Sequence, residues 1–317
     1  MAEPVVLYLD RDLPADVLVL LGERAAAGAA RLVGPAPEDM ARADGIVAGG
    51  SPWDGPRLDR CPRAKVLSRS GIGYDSVDVA AATARGVAVC VAPEAPTVST
   101  AEHAVALLLA AAKCLGENQA RLRSGSGDYF GACRNMELAG STLGLVGYGR
   151  IARRVGRVAA ALDMAIVAFD PFLQEADVEL VAFDELLARA DVISLHAPLT
   201  ESTRGLFDAA AFARVRPGVI LVNAARGGLV DQAALLAALD SGQVAAAALD
   251  VTDPEPLPPD HPLLHRADVV VTPHIASATG AGRVRLYEHA IDNAIAVLSG
   301  GSSGGTCHVV NPEVLRS

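Results

Sequence analysis

Aromatic side chains are scarce in this sequence: one tryptophan, five tyrosines and six phenylalanines make up 4% of 317 residues. Hydrophobic residues nevertheless reach 51%, so a core has to be built from Ala, Val, Leu and Ile rather than from rings. Cysteines are few and widely spaced (Cys61, Cys90, Cys114, Cys133, Cys307), with no C-x-x-C pair and no histidine at metal-site spacing. That excludes a structural zinc site and a disulfide scaffold, and the cysteines read as buried free thiols. Basic charge is also short: 27 Lys and Arg against 37 Asp and Glu leave a formal charge of −10. A nucleic-acid or anionic-membrane surface needs clustered Lys and Arg, so neither partner is expected. No run of about 20 apolar residues is present, and "MAEPVVLYLD" lacks the basic start of a secretory signal. The expected location is the cytoplasm.

What the sequence does have is alternation. From residue 4 to 91, short β-branched runs ("VVLYL", "RLV", "GIVAGG", "KVLSRS", "VAVCV") alternate with Ala-rich helical stretches, the pattern of a parallel sheet with crossover helices. "APEAP" interrupts it near residue 92. The alternation resumes at "TLGLVG" and runs through "AIVAFD", "DVISLH", "GVILVNA", "VAAAALDV" and "DVVVTPH", a second complete α/β domain. A last helix is expected over about 279 to 299. The expected architecture is two doubly wound parallel-sheet domains with a cleft between them: a flavodoxin-like substrate domain (1–95 and 296–317) and a Rossmann domain (96–295). Ser99 followed by Glu102 has the form of a capping box, predicting a helix start there. The helix region 99–123 is apolar nearly all round from Ala104 to Leu115, which predicts burial on several sides and a homodimer.

"GLVGYGRIA" places Gly147, Gly149 and Ala152 in the G-x-G-x-x-G/A arrangement at a strand-to-helix turn. The first glycine permits the tight turn, the second lets a pyrophosphate approach the backbone, and the small third residue lets helix pack on strand. Asp170 ends the next strand, where a carboxylate accepts hydrogen bonds from the ribose hydroxyls of adenosine and repels a 2′-phosphate. Pro171 and Phe172 follow it rather than an arginine, so the expected cofactor is NAD. Hydride transfer at a carbon bearing oxygen also needs a proton donor or acceptor and a cation for the substrate. Three later strand ends offer these groups: Arg226 in "LVNAARGGLVD", Glu255 in the proline-rich "DVTDPEPLPPDHPLL", and His274 in "VVVTPHIAS". Ligands of open parallel sheets bind beyond the carboxyl ends of the strands, so all three can face one site.

Taken in order, "RSGIGYDSVDVAAATARGV", "STAEHAVALLLA", "GLVGYGRIA", "HAPLTESTRGLFD", "VRPGVILVNAARGGLVD", "ALDVTDPEP" and "TPHIAS" resemble the D-isomer-specific 2-hydroxyacid dehydrogenase family over nearly the whole chain. The resemblance implies an NAD-dependent interconversion of a 2-keto acid and a D-2-hydroxy acid. Arg226 would bind the substrate, His274 would act as general acid and base, and Glu255 would hydrogen-bond the imidazole and fix its tautomer. Backbone amides of Ile72 and Gly73 would receive the substrate carboxylate. For NAD, the resemblance implies Gly147, Gly149, Arg150, Ile151 and Ala152 at the pyrophosphate turn, Asp170 at the ribose, and His196 and Pro198 near the adenosine. Asp250 would meet the nicotinamide carboxamide, with Ala224, His274 and Ala276 as further contacts.

Several branches of the family are distinguished by single residues. The phosphite-oxidising branch would carry a lysine where this chain has Ile72, and formate dehydrogenases replace the catalytic glutamate, kept here as Glu255, with glutamine. Phosphoglycerate dehydrogenases often append a regulatory domain, whereas this sequence stops at Ser317, and "VAGGSPWDG" offers no arginine for a substrate phosphate. An NAD-responsive, corepressor-like binding protein of the same fold is the alternative of a different class. Trp53 is a candidate cap for an apolar substrate tail, and "SGSGDYFGACRNM" (124–136) a candidate specificity segment.

Overall fold

Runs of three to six residues rich in Val, Leu, Ile and Ala are too short for stable helices and become most of the strands of two largely parallel sheets. The computed structural model describes residues 3–125, 130, 134–300 and 307–316. The chain divides into two units, Met1–Thr97 with Ala278–Ser317, and Val98–Ser277. Cys133 and most of the 126–133 stretch lie outside the described residues.

The first unit contains β1 (Val5–Leu9), α1 (Ala15–Ala27), β2 (Ala30–Val33), β3 (Gly45–Ala48), α2 (Gly55–Leu58), β4 (Val66–Arg69), α3 (Val79–Ala84) and β5 (Ala88–Val91). The second contains most of α4 (Thr97–Ala112), α5 (Leu115–Ser124), β6 (Thr142–Val146), α6 (Arg150–Ala160), β7 (Ala165–Phe169), β8 (Glu179–Leu180) and α7 (Phe183–Arg189). It continues with β9 (Val192–Leu195), α8 (Ala209–Phe212), β10 (Val219–Asn223), α9 (Gln232–Ser241), β11 (Val244–Leu249) and β12 (Val269–Val271). The chain then returns to the first unit through α10 (Gly280–Leu298) and β13 (His308–Val309).

In the first unit the order is β2-β1-β3-β4-β5, all parallel, the doubly wound order of flavodoxin-type sheets, with β13 added antiparallel on β5. The second sheet runs β8-β7-β6-β9-β10-β11-β12, all parallel. Its strand order reverses between β6 and β9, which makes their carboxyl ends the switch point where such sheets bind ligands.

The return to the first unit comes at Ser277/Ala278 rather than at 296. The cause is the apolar face of α10: Leu286, Tyr287, Ala290, Ile291 and Ala294 join Leu7, Leu9, Val47 and Val66 in one core. Thr279 caps this helix by accepting the Gly282 N–H at 2.9 Å. The capping-box expectation is also corrected. α4 begins at Thr97, directly after Pro96, and Ser99 is buried inside it at 2% exposure. α4 and α5 diverge by 50°, and between them Cys114 takes a left-handed φ of 47°. Among the described residues no single helix is long and apolar enough to cross a membrane.

Trp53 belongs to the core of the first unit. It is fully buried, with its Nε1 donating to Asp10 Oδ2 at 3.0 Å and the Arg57 guanidinium 4.0 Å from the ring centre. An indole so enclosed has no face left to cap a substrate tail.

Candidate active site

β6 runs into the glycine turn. Gly147 has φ +85°, and a Cβ there would come within 2.9 Å of the Ala197 nitrogen and the His196 carbonyl carbon, so backbone conformation and close approach both demand glycine. Ala152 is fully buried and joins the core with Leu145 and Ala168, as the small third position of the motif requires. A Cβ on Gly149, the N-cap of α6, would meet nothing within 4 Å. The N-terminus of α6, where Arg150 and Ile151 begin the helix, therefore offers backbone N–H groups and the positive end of the helix dipole to an anion. At the end of β7 the Asp170 carboxylate is gripped by two backbone donors, Tyr148 N–H to Oδ2 and Phe172 N–H to Oδ1, both at 3.0 Å. Glycine cradle, helix terminus and oriented carboxylate fit the pyrophosphate and ribose of NAD.

His196 follows β9 and Pro198 lies two residues on. The backbone N–H of His196 donates to Val146 O at 2.7 Å, and its Nε2 lies 2.9 Å from Ser194 Oγ. Burial pushes the imidazole pKa down to about 4, so His196 is neutral at pH 7. A folded pKa below the unfolded value near 6.5 gives stability that is present above 6.5 and lost as pH falls toward 4. His196→Gln should therefore remove up to about 3 kcal/mol of the parent's stability difference between pH 7 and pH 4. Urea midpoints of parent and variant across that range measure it, and parallel profiles would contradict the assignment.

Beyond β10, β11 and β12 stand the three side chains singled out as catalytic. Arg226 caps the short 3-10 turn Gly227–Leu229, and its Nη1 donates to Ala225 O at 2.7 Å. Asn223, buried at the end of β10, shapes this turn: its Nδ2 donates to Arg226 O at 2.9 Å and its Oδ1 accepts the Ala225 N–H at 3.0 Å. Gly227 packs so tightly on Thr252 that an added Cβ would overlap the Thr252 carbonyl. The Arg226 turn is thus seated directly on the loop that carries Glu255. That loop is fixed from within, because Thr252 Oγ1 donates to Pro254 O at 2.9 Å and Gln232 Nε2 donates to Asp253 O. The later run "LPPDHPLL" packs Leu257 and Leu263 into the core, with the Leu263 N–H donating to His261 Nδ1.

His274 Nδ1 lies 2.5 Å from Glu255 Oε1, with both side chains partly exposed at 45% and 39%. His274 is held in the left-handed region at φ +53°, a conformation a non-glycine residue keeps only when its surroundings enforce it. Asp250 does so. Its carbonyl accepts the His274 N–H at 2.8 Å, and its carboxylate accepts the N–H groups of Ile275 and Ala276, each at 2.9 Å. Thr272 Oγ1 donates to the same carboxylate at 2.6 Å, and His103 Nε2 lies 3.1 Å from that hydroxyl and 3.3 Å from Asp250 Oδ1. Asp250, 1% exposed, therefore braces the histidine loop. His103 and Thr272 carry no signal in the sequence. No linear pattern marks them, since the contact joins helix α4 to the end of β12.

Ile72 and Gly73 stand in the first unit, on the loop after β4, with the Ile72 side chain 48% exposed. Arg69, at the end of β4, shapes the loop by donating from Nε to Gly73 O at 3.0 Å. Ala224 is half-buried just past β10, and Ala276 is buried below His274.

Residues 105–276 match the model of the D-isomer specific 2-hydroxyacid dehydrogenase, NAD binding domain. The chain is 43% identical over 234 residues to the D-3-phosphoglycerate dehydrogenase of Archaeoglobus fulgidus, covering 71% of this chain and 44% of that protein. It is 38% identical over 273 residues to the glyoxylate reductase of Korarchaeum cryptofilum, covering 84% of this chain and 81% of that protein. The chain spans about half the length of the phosphoglycerate dehydrogenases it matches. The crystal structure of the TT0316 protein from Thermus thermophilus superimposes with a TM-score of 0.86 at 36% identity, covering 96% of this chain and all of that one.

Proposed function

Because the chain belongs to the D-isomer specific 2-hydroxyacid dehydrogenase family and carries its NAD-binding domain, we propose that it interconverts a 2-keto acid and a D-2-hydroxy acid. The observation that carries this reading is the 2.5 Å contact between His274 Nδ1 and Glu255 Oε1. With Nδ1–H donated to the carboxylate, Nε2 is the nitrogen left to exchange a proton with substrate oxygen. His274 then protonates the oxygen on reduction and takes the proton back on oxidation, while Glu255 fixes the tautomer and stabilises the imidazolium. Arg226 supplies a permanent positive charge for the substrate carboxylate and its 2-oxygen. NAD, when bound, supplies hydride acceptance and, in its reduced form, hydride donation. Gly147, Gly149, Arg150, Ile151 and Ala152 form its pyrophosphate seat, Asp170 takes the ribose, His196 and Pro198 the adenosine side, and Ala224, Asp250, His274 and Ala276 the nicotinamide side. We assign the protein to the cytoplasm and to a homodimer. The described cysteines are all free thiols, which suits a reducing compartment. α5 leaves Leu115 and Leu122 exposed at 57% and 66%, beside an apolar α4 that a second copy would cover.

The test is steady-state oxidation of NADH with glyoxylate, pyruvate and hydroxypyruvate, together with reduction of NAD+ by D-3-phosphoglycerate and by phosphite. Turnover of at least one organic acid is expected. Tight NADH binding with no turnover would favour the corepressor-like alternative, and turnover of phosphite alone would move the chain to that branch.

A further inference from the structure

We propose that Cys90 and Cys307 are a modification site, forming a reversible disulfide that fastens the C-terminal strand to the first unit's sheet. Their sulfurs are 3.3 Å apart, although 217 positions separate them in sequence. Both sit within the first unit, Cys90 on β5 and Cys307 just before β13. β13 pairs antiparallel with β5, with Val309 opposite Cys90. Cys307, two residues before Val309, therefore faces the same side of the sheet as Cys90, and both cysteines join the core that α10 covers. The geometry needs little movement, because the flanking strands are already hydrogen-bonded in register.

The two thiols are not equivalent. Cys90 is fully buried, whereas Cys307 is half-buried and can be reached by a small oxidant. The contact between the two sulfurs lets either thiol stabilise the other as a thiolate, and burial pushes the Cys90 thiol up. Cys307, the one an oxidant can reach, is therefore the attacking thiolate. With a small disulfide such as oxidised glutathione, Cys307 attacks one sulfur, forms a mixed disulfide and releases one glutathione thiolate, which takes up the proton Cys307 has lost. Cys90 then attacks the Cys307 sulfur. The Cys90–Cys307 bond forms, the mixed disulfide breaks, and the second glutathione leaves with the Cys90 proton. Two protein thiols are oxidised and one glutathione disulfide is reduced to two thiols. Among the other described cysteines, burial holds the Cys61 thiol up at about 11, so it does not compete.

The native chain is equilibrated with oxidised and reduced glutathione at stepped ratios, quenched in acid, denatured, and its free thiols counted. Non-reducing tryptic mapping follows. Loss of two of the five thiols, with the peptide holding Cys90 joined to the peptide holding Cys307, is the expected result. Cys307→Ser should abolish the cross-link with the fold intact. Cys90→Ala, the more invasive change, should leave Cys307 carrying glutathione. Retention of all five thiols, glutathione on Cys307 of the parent without closure, or a cross-link between other cysteines would each overturn the proposal.

Discussion

His274→Gln is expected to lower turnover about 1000-fold while leaving NADH affinity within about twofold. Glutamine can still donate a hydrogen bond toward Glu255, so the 2.5 Å contact has a substitute and the partly exposed carboxylate is not stranded. What an amide cannot do is give up and recover a proton near neutral pH. The braces from Asp250 that hold the backbone at φ +53° reach main-chain groups, which the substitution leaves in place. Single-turnover and steady-state rates with fluorescence-monitored NADH binding separate the two effects. Turnover within tenfold of the parent would remove His274 from the chemistry.

Gly227→Ala is expected to act without touching any charged group. The new methyl would overlap the Thr252 main chain, and backbone cannot swing aside as a flexible side chain can. The loop it would displace is tied down by Thr252 to Pro254 O and by Gln232 to Asp253 O, so the strain passes to both neighbours, the Arg226 turn and Glu255. A loss of about 2 kcal/mol in stability and a roughly 100-fold fall in kcat/KM should appear together. Gly149→Ala is the internal contrast, because its Cβ meets no protein atom within 4 Å, so any defect should lie in NAD affinity with stability nearly unchanged. A Gly227→Ala variant as active as the parent would mean that the two loops move independently.

Much of this was legible before the structure because it is written locally. Apolar strands of three to six residues between glycines, prolines and helical runs place both parallel sheets, and the strand ends locate Gly147, Asp170, Arg226, Glu255 and His274 together on one edge of the second. Features that depend on contact between distant residues were not legible. The family resemblance marks Asp250 only as a nicotinamide contact, and the fold alone makes it the acceptor for Ile275 and Ala276 with His103 behind it. β13 has two residues and no periodicity to detect. Its attachment rests on Asn311, whose side chain accepts the Val89 N–H at 2.7 Å and donates to Val87 O at 3.0 Å. Ser99 and Glu102 had the spacing of a cap, yet the proline before Thr97 had already set the helix start.

The most direct measurement is the fate of deuterium from reduced NAD carrying deuterium at both nicotinamide C4 positions, with a 2-keto acid as substrate and the product analysed by mass and chirality. The expected product carries one deuterium at C2 in the D configuration, formed in proportion to the NADH consumed and lost with His274→Gln. An L product, an unlabelled product, or bound NADH that persists with every 2-keto acid offered would contradict the assignment.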